Sequence, residues 1–432
     1  MKKKLLVISI DSMVKEDMEI IRELPCMGQL IKKSSVILEN EATYPTLTHS
    51  VHASILTGCT PMRHGIIGNE HFVPGDLSSP WYERADELKV KGMLDFAREQ
   101  GLSTAAVMYP LTLGGDYDWI LHRAEFHCGR EDEEDCLRER CRPHGLFDEI
   151  LNRVGTYPVY EGKQERADAF CFDTIEYLLD EKQPDVMYAH VVTIDHTRHQ
   201  YGVFSPQLRE AYEFLDRGFQ QVWEALVRNG LDQETILCVT ADHGHLDVRR
   251  VVSINRLFRT HGLLQVDEDG NLTDWRAYLH SNSLSAYIYI RKGDKEAQAE
   301  AYRLLKENQE LLGIEKIRSR EEVKEEYHLD GDFTFVLESC GDTSFSSDYN
   351  AALIRESGDE DYRYSIATHG HEPQKGVQPL CFIYNPFSDK RLTLQRGRII
   401  DQAPTLAVLA DIQTEEMEGN AISELVKLMP GV

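Results

Sequence analysis

Three apolar runs, each ending in an aspartate, constrain the fold of this chain more than any other feature. Residues 5–10 (LLVISI) lead to Asp11, residues 185–194 (DVMYAHVVTI) to Asp195, and residues 235–240 (TILCVT) to Ala241-Asp242. Unbroken runs of this length, rich in β-branched residues, read as strands buried on both faces. A half-exposed strand would alternate apolar with polar. Helical periods lie between them. Residues 164–180 put Ala167, Phe170, Cys171, Thr174, Ile175 and Leu178 on one side. Ser205-Pro206 opens a second helix that runs to Asn229 and stops at Gly230. Strands alternating with helices predict an α/β fold with a doubly wound, largely parallel sheet, whose ligands bind beyond the carboxyl ends of the strands. All three aspartates fall at that edge. Any one of them can simply cap the following helix, but three, two of them with histidines nearby, point to a site.

The other elements are shorter. Residues 36–38 and 103–108 are expected strands, with a helix over 85–100 between them. Residues 380–384 return to the core sheet, and the tail carries helices over 403–409 and 414–428. Residues 114–162 lose any period and are rich in charge, so they read as an insertion on the core rather than a core element. Strands at 284–290 and 333–338, with an amphipathic helix over 294–312, predict a small α+β subdomain at 270–345, inserted in a single catalytic domain spanning 1–432.

A chain of 432 residues, 41% hydrophobic and 28% charged, is long enough for one elaborated domain and ordinary for a globular protein. Its net charge of −26 argues against a nucleic-acid polymer or an anionic membrane as partner. A small anionic substrate fits that charge if bound cations reverse the field locally. The apolar run at 5–10 is too short for the core of a secretory signal, and no run approaches the ~18 apolar residues of a membrane-spanning helix. Nine cysteines, an odd number, argue against a full disulfide framework. The expected location is reduced and cytoplasmic.

Metal-ligand residue types gather behind the expected strands. Asp195 and His199 are four apart, so a helical turn puts both on one face, where they can hold one ion. Asp242-His243-Gly244 sets two ligands side by side, and Thr368-His369-Gly370-His371 offers another histidine far along the chain. Each alone is a weak signal, since a lone histidine is usually a satisfied structural group; together they are a strong one. Residues 43–69 (TYPTLTHSVHASILTGCTPMRHGIIGN) add a turn at Tyr44-Pro45, a polar elbow at Thr46-Leu47-Thr48, a helical run over 50–56 and a stop at Gly58.

With these motifs the chain resembles the alkaline phosphatase superfamily, and within it the nucleotide pyrophosphatase/phosphodiesterase branch. The resemblance runs through VISID, YPTLT…TGCTPMRHGIIGN, IDHTRH, TADHG, ATHGHEP and DQAPTLAVLADI…EMEGNAI, nearly the whole chain. It implies an alkaline-phosphatase-type fold and two divalent metal ions. One ion would be held by Asp195, His199 and His369. The other would be held by Asp11, Asp242 and His243 with the hydroxyl of Thr48, the implied catalytic nucleophile. Asn69 matches the asparagine that helps hold a non-bridging phosphoryl oxygen in that branch. The surroundings of Thr48, Leu-Thr-His-Ser-Val-His, depart from the Lys-Thr-Phe-Pro-Asn type of pattern usual there, which leaves the substrate open rather than the metals.

The residue types suit that chemistry. Carboxylate and imidazole donors without thiolate favour Zn²⁺ and also accept Mn²⁺ or Fe²⁺. Two ions roughly 4 Å apart stabilise the attacking and leaving oxygens of an in-line displacement, and coordination makes a threonine hydroxyl reactive near neutral pH. The expected reaction is hydrolysis of a phosphodiester or pyrophosphate bond in a small anionic phosphate ester, through a covalent phosphoryl-Thr48 intermediate. No Arg or Lys lies within 43–62, which favours a monoanionic diester over a dianionic monoester; Arg63 and Arg198 are the neighbouring cations that would reverse this. Phosphomonoesterase, phosphonate hydrolase and phosphomutase chemistry are the alternatives on the same fold. A non-catalytic metal-binding protein is the alternative of another class, and the filled ligand and nucleophile positions argue against it.

Some motifs mislead. Cys59-Thr60-Pro61-Met62-Arg63 fits the Cys-x-Pro-x-Arg pattern of sulfatases, but it follows Thr57-Gly58 instead of preceding it, so Cys59 is expected to be a buried thiol. His127, Cys128, Cys136, Cys141 and His144 could form an extra zinc site or a disulfide, but they match no common zinc spacing, and ordinary thiols on a polar insertion are the expectation. His371 is ambiguous between replacing His369 as ligand and touching substrate. His49, His52, His64, His196 and His245 read as structural or supporting groups.

Overall fold

The computed structural model describes residues 3–122, 133–155, 164–359, 364–415 and 417–429. Eight strands form the central sheet: β1 Lys4–Ile10, β2 Ser34–Glu41, β3 Thr104–Val107, β4 Trp119–Leu121, β5 Val186–Val191, β6 Thr235–Thr240, β7 Cys381–Tyr384 and β8 Thr393–Arg398. Their spatial order is β8-β2-β7-β6-β1-β5-β3-β4. β7 runs antiparallel to its neighbours β2 and β6, and every other pair is parallel. This is the expected α/β, doubly wound, largely parallel architecture. β1 lies between β5 and β6, with Ile10 opposite Val191 and Ser9 opposite Thr240. The three aspartate-ending runs are therefore neighbours in the sheet, and they deliver Asp11, Asp195 and Asp242 to one edge.

Four helices frame that edge: α1 Thr48–Thr57, α2 Gln164–Glu181, α3 Thr193–Tyr201 and α4 Gln207–Arg228. Leu6, Ile8 and Ile10 pack with Phe170 and Ile175 of α2 and Leu215 and Phe219 of α4, whereas Leu5 and Val7 pack with Val51 and Ile55 of α1. Alternate residues of β1 thus enter two different cores, and no position along it can be polar toward solvent.

Three expectations change. The apolar run at 185–194 is not one strand. β5 ends at Val191 and α3 begins at Thr193, because Asp168 of α2 accepts the Val192 and Thr193 N–H groups (2.9 and 2.8 Å) and the Thr193 hydroxyl (2.6 Å). This cap comes from another helix, and apolarity continues across the boundary through the buried Ile194, so nothing local marks it. Second, the region 114–162 is not wholly peripheral. β4 is the sheet's edge strand, and Leu146, Phe147 and Ile150 of the helix Leu146–Val154 join the core. A three-residue strand carries no readable period. Third, Cys136 is disulfide-bonded rather than an ordinary thiol; Cys141 is free and buried, and His127 and Cys128 lie outside the described residues. The helix expected over 85–100 is shorter, Met93–Glu99, and the tail segment 414–428 narrows to Ser423–Val426.

Residues 277–339 hold a four-stranded antiparallel sheet made of Ala277–Asn282, Ser285–Ile290, Phe335–Ser339 and Ile314–Ser319 in spatial order. Its apolar cluster also draws in Val252, Ile254 and Phe258. Among the described residues no helix is long and apolar enough to cross a membrane.

Close packing of α4 on α2 yields a stability prediction. A Cβ on Gly218 would meet the Phe172 ring at 2.2 Å. Alanine is the better helix former by ~1 kcal/mol, yet overpacking a filled core costs about 1–3 kcal/mol. Gly218→Ala is expected to lower the urea midpoint; a raised midpoint would show that the ring moves aside at no cost.

Candidate metal centre

The fold brings together two groups of donor atoms. In the first, ligand atoms of Asp195, His199, His245 and His369 all lie within 4.8 Å of one another. Asp195 Oδ1 is their common centre: His245 Nε2 is 3.2 Å away, His199 Nε2 3.3 Å and His369 Nε2 3.7 Å. The far side of each ring is tied down. His199 Nδ1–H donates to the Ala367 carbonyl (2.8 Å), His369 Nδ1–H donates to the Thr46 carbonyl (3.0 Å), and His245 Nδ1 pairs with the Ser12 hydroxyl (2.8 Å). A carbonyl can only accept, so Nε2 of His199 and of His369 carries the lone pair in the neutral ring.

The second group surrounds His243 Nε2. Asp242 Oδ2 lies 3.2 Å from it, Thr48 Oγ1 3.3 Å and Asp11 Oδ1 3.4 Å. Asp195 links the two groups, because it also lies within 4.8 Å of ligand atoms of Asp11 and His243. The His243 and His369 rings stack between the groups, with centroids 3.7 Å apart. Ligands about 2.0–2.1 Å from a tetrahedral ion are about 3.3–3.4 Å apart, and most of these spacings match that edge. Asp195 Oδ1, Asp242 Oδ2 and His245 Nε2 are buried without a hydrogen-bond partner. The donors therefore fit metal ions in both chemistry and geometry.

Electrostatics agree. Burial pushes the Asp242 carboxyl up to about 7. Burial would raise Asp195 too, but the charge of His199 outweighs it and holds the carboxyl well below the usual range, and Asp195 in turn raises His199 against its own burial. Burial depresses His369 to about 4 and carries His243 and His245 well below the ordinary imidazole value. Three imidazoles held neutral by burial, and a fourth, His199, drawn toward the charged form by Asp195, stand beside carboxylates, donor types that suit a metal ion once deprotonated.

Local structure supplies the rest of the site. Thr48 opens α1, behind an extended Leu47. Thr46 clamps the late histidine loop against it: besides accepting from His369, its hydroxyl donates to the His371 carbonyl (2.9 Å) and accepts the Gly370 N–H (3.1 Å). Gly370 is required there. Its φ is +94°, and a Cβ would stand 2.0 Å from the Asn282 carbonyl oxygen. Asn69 sits against the first turn of α1, where its side-chain oxygen accepts the His49 N–H (2.9 Å). That leaves its amide NH₂ turned away from the helix.

A family model described as type I phosphodiesterase / nucleotide pyrophosphatase matches residues 5–372. The chain belongs to that family. Human ectonucleotide pyrophosphatase/phosphodiesterase family member 7 is 23% identical over 46% of this chain, and venom phosphodiesterase 2 of Crotalus adamanteus 24% over 47%. The matches span only 39% and 22% of those relatives' own lengths. In fold, the chain is similar to murine ectonucleotide pyrophosphatase/phosphodiesterase 5, solved as an inactive form in complex with AMP. The TM-score is 0.70 at 17% identity, over 99% of this chain and 100% of that one. The fold of this phosphodiesterase-family chain is thus of alkaline-phosphatase type.

Other sequence-derived candidates fall elsewhere. His371 is outside the donor groups and bonds the Lys375 carbonyl through Nε2 (3.1 Å). His52 bridges the Thr48 carbonyl and the Ser9 hydroxyl (2.7 and 2.8 Å). Cys59 is a buried thiol beyond the far end of α1, roughly 15 Å along the helix from Thr48. Arg198 faces away from the donors, its guanidinium bonded to both Asp17 carboxylate oxygens and to the Val203 carbonyl. His245, which reads from the sequence as a structural or supporting group, has its Nε2 among the ligand atoms around Asp195. Its only local signal is position, two residues after His243.

His64 holds the turn that carries Asn69. It accepts the Ile66 N–H at Nδ1 (3.1 Å), and its Nε2 meets the Ser54 hydroxyl (3.0 Å). Burial depresses it from 6.5 to about 3. The folded state therefore resists a proton that the unfolded state takes up below pH 6.5, so stability falls with decreasing pH from 6.5 toward 3, by at most ~1.4 kcal/mol per pH unit for this one group. His64→Asn keeps the acceptor and does not titrate. Denaturant unfolding between pH 7 and 5 should show a shallower acid loss in the variant than in the parent; equal slopes would exclude His64 as the source.

Proposed function

We propose that this protein hydrolyses a phosphodiester or pyrophosphate bond in a small anionic phosphate ester. Thr48 is the nucleophile, and two divalent ions are held by Asp195, His199 and His369 and by Asp11, Asp242, His243 and Thr48. The observation that carries this reading is the set of three oxygens around His243 Nε2, with Thr48 Oγ1 among them. Zinc is the first expectation, with manganese or iron as alternatives, because the donors are imidazole and carboxylate.

When bound, the ions would favour the Thr48 alkoxide and offset charge on the phosphoryl oxygens. The chain does the rest. Thr48 Oγ1 forms a bond to phosphorus as the bond to the leaving oxygen breaks. Water then cleaves phosphoryl-Thr48, restoring the hydroxyl and releasing the phosphate product. Asn69 donates its amide NH₂ to a non-bridging oxygen, since its own oxygen is engaged by His49 N–H. The N-terminal end of α1 adds its positive dipole. A diester is favoured over a monoester because Arg198, which could have neutralised a second anionic charge, is committed to Asp17.

The antiparallel sheet reads as an insertion at 270–345 within the one catalytic domain, with Asn282 packed on Gly370. A reduced, cytoplasmic location is supported by seven free cysteines among the described residues, including Cys238 and Cys381 with sulfurs 3.8 Å apart and unbonded; the disulfide at Cys136 counts against it.

Thr48→Ala should retain both metals and lose turnover by ~10³-fold or more, measured with bis(aryl) phosphate; unchanged activity would remove Thr48 from the mechanism. Asp242→Asn should lose one metal equivalent on dialysis, and intact metal content would contradict the ligand scheme. A parallel assay of bis(aryl) phosphate, aryl phosphate, aryl phosphonate and aryl sulfate, with Zn²⁺ or Mn²⁺, should favour the diester. Preference for the sulfate would overturn the reading.

A further inference from the structure

We propose that His245 is a fourth protein ligand of the ion at Asp195, and that it makes the two metal sites chemically unequal: one nitrogen-rich and tightly loaded, the other oxygen-rich and exchangeable. The inference rests on the two-metal reading above and adds a residue and a loading order to it.

The geometry around His245 is built for a ligand. The residue is 1% exposed. Its Nε2 is 3.2 Å from Asp195 Oδ1, yet neither atom has a hydrogen-bond partner, so the two approach without the alignment of a hydrogen bond. Both belong to the group of four ligand atoms that lie within 4.8 Å of one another. Asp195 Oδ1 is also the atom that His199 and His369 face. Those two rings commit their Nδ1–H groups to carbonyls, which leaves Nε2 of the neutral ring with the lone pair facing Asp195. A carboxylate oxygen faced by three imidazole nitrogens at 3.2–3.7 Å is poorly explained as a hydrogen-bond hub and well explained as one corner of a coordination shell.

The other side of the ring is held by a device that costs backbone energy. Ser12 is a non-glycine residue at φ +64°, a conformation that costs on the order of 1 kcal/mol. There its hydroxyl meets His245 Nδ1 (2.8 Å), its N–H donates to Asp242 Oδ1 (3.1 Å) and its carbonyl accepts Arg198 Nε (3.2 Å). Arg198 is itself locked by Asp17, which also accepts the Tyr212 hydroxyl (2.6 Å). One strained residue therefore orients His245 and Asp242, a member of each donor group, in one step.

The consequence is asymmetry. With His245 the first site offers three imidazole nitrogens and one carboxylate oxygen from protein, four donors at rest, with room for expansion to five when a substrate oxygen arrives. The second offers one nitrogen and three oxygens, of which Thr48 Oγ1 is the reacting atom. Nitrogen-rich sites favour later first-row ions such as Zn²⁺ and Co²⁺, whereas oxygen-rich sites tolerate Mn²⁺. The first site should fill first and release last, and the ion beside Thr48 should be the one that exchanges.

The test uses the full-length holoenzyme, His245→Gly, and Ser12→Ala as a milder variant that leaves the imidazole present. Metal content is followed during chelator competition, and Co²⁺-loaded protein is read by its visible absorption, which is intense for four-coordinate and weak for six-coordinate ions. The parent should keep one equivalent after the other has gone. His245→Gly should bind that equivalent more than about 100-fold more weakly, beyond what loss of a supporting hydrogen bond brings. Its Co²⁺ absorption should weaken, and added imidazole should restore both. Ser12→Ala should shift retention in the same direction by less. If His245→Gly keeps the tight equivalent and the parent spectrum, or if imidazole restores nothing in a protein that still folds by circular dichroism, the inference is wrong. A parent that binds no tight metal would instead bring down the two-metal reading itself.

Discussion

Carboxylates buried at the end of a parallel sheet are the constraint on which the rest of this structure depends. Asp11 and Asp242 are 3% and 0% exposed, and a buried anion costs several kcal/mol unless a counter-charge or donors compensate it. Burial holds His243, His245 and His369 below the ordinary imidazole value, while His190 Nε2 lies 3.4 Å from Asp11 Oδ2 and His52 Nδ1 3.5 Å from Asp242 Oδ2. Backbone donors help only in part, as with Ser12 N–H on Asp242. A buried cluster of carboxylates and imidazoles of this composition would be stabilised by a cation bound among its donors.

The same constraint explains the rigid framing. The donors come from β1, α3, the turn after β6, the start of α1 and the loop at 369–371. Points so far apart in sequence stay in register only if each is pinned. Thr46 pins the histidine loop to the nucleophile turn, the Asp17–Arg198 pair pins Ser12, and Asp168 pins the start of α3. Each anchor is a buried polar group with satisfied partners, and loss of one partner leaves the other uncompensated in a dry interior. The scaffold that supports the chemistry is thus polar as well as apolar.

Legibility in the sequence followed the range of the interactions. The β1, β6 and α2 segments were readable because two-sided burial and one-sided burial leave different periods. Asp195 and His199 were readable as a pair because four residues is one helical turn. The start of α3 was not, because its cap is a side chain on a different helix. β4 was not, because three residues in a sheet are specified by their neighbour β3 rather than by themselves. His245 reads from the sequence only as a structural or supporting group, because its approach to Asp195 and the contact of its Nδ1 with the Ser12 hydroxyl join segments far apart in the chain.

By itself, the sequence determined the class of fold, the inventory of donors and the family, since these depend on residue type and local spacing. Tertiary structure decided which donor atoms stand within reach of one another. That arrangement depends on strand adjacency in the order β6-β1-β5, on a left-handed serine, and on contacts such as Thr46 with Gly370 that span more than three hundred residues. Such contacts are made by packing the whole chain, and a distance of 3.2 Å between His245 and Asp195 has no counterpart in their fifty-residue separation in sequence.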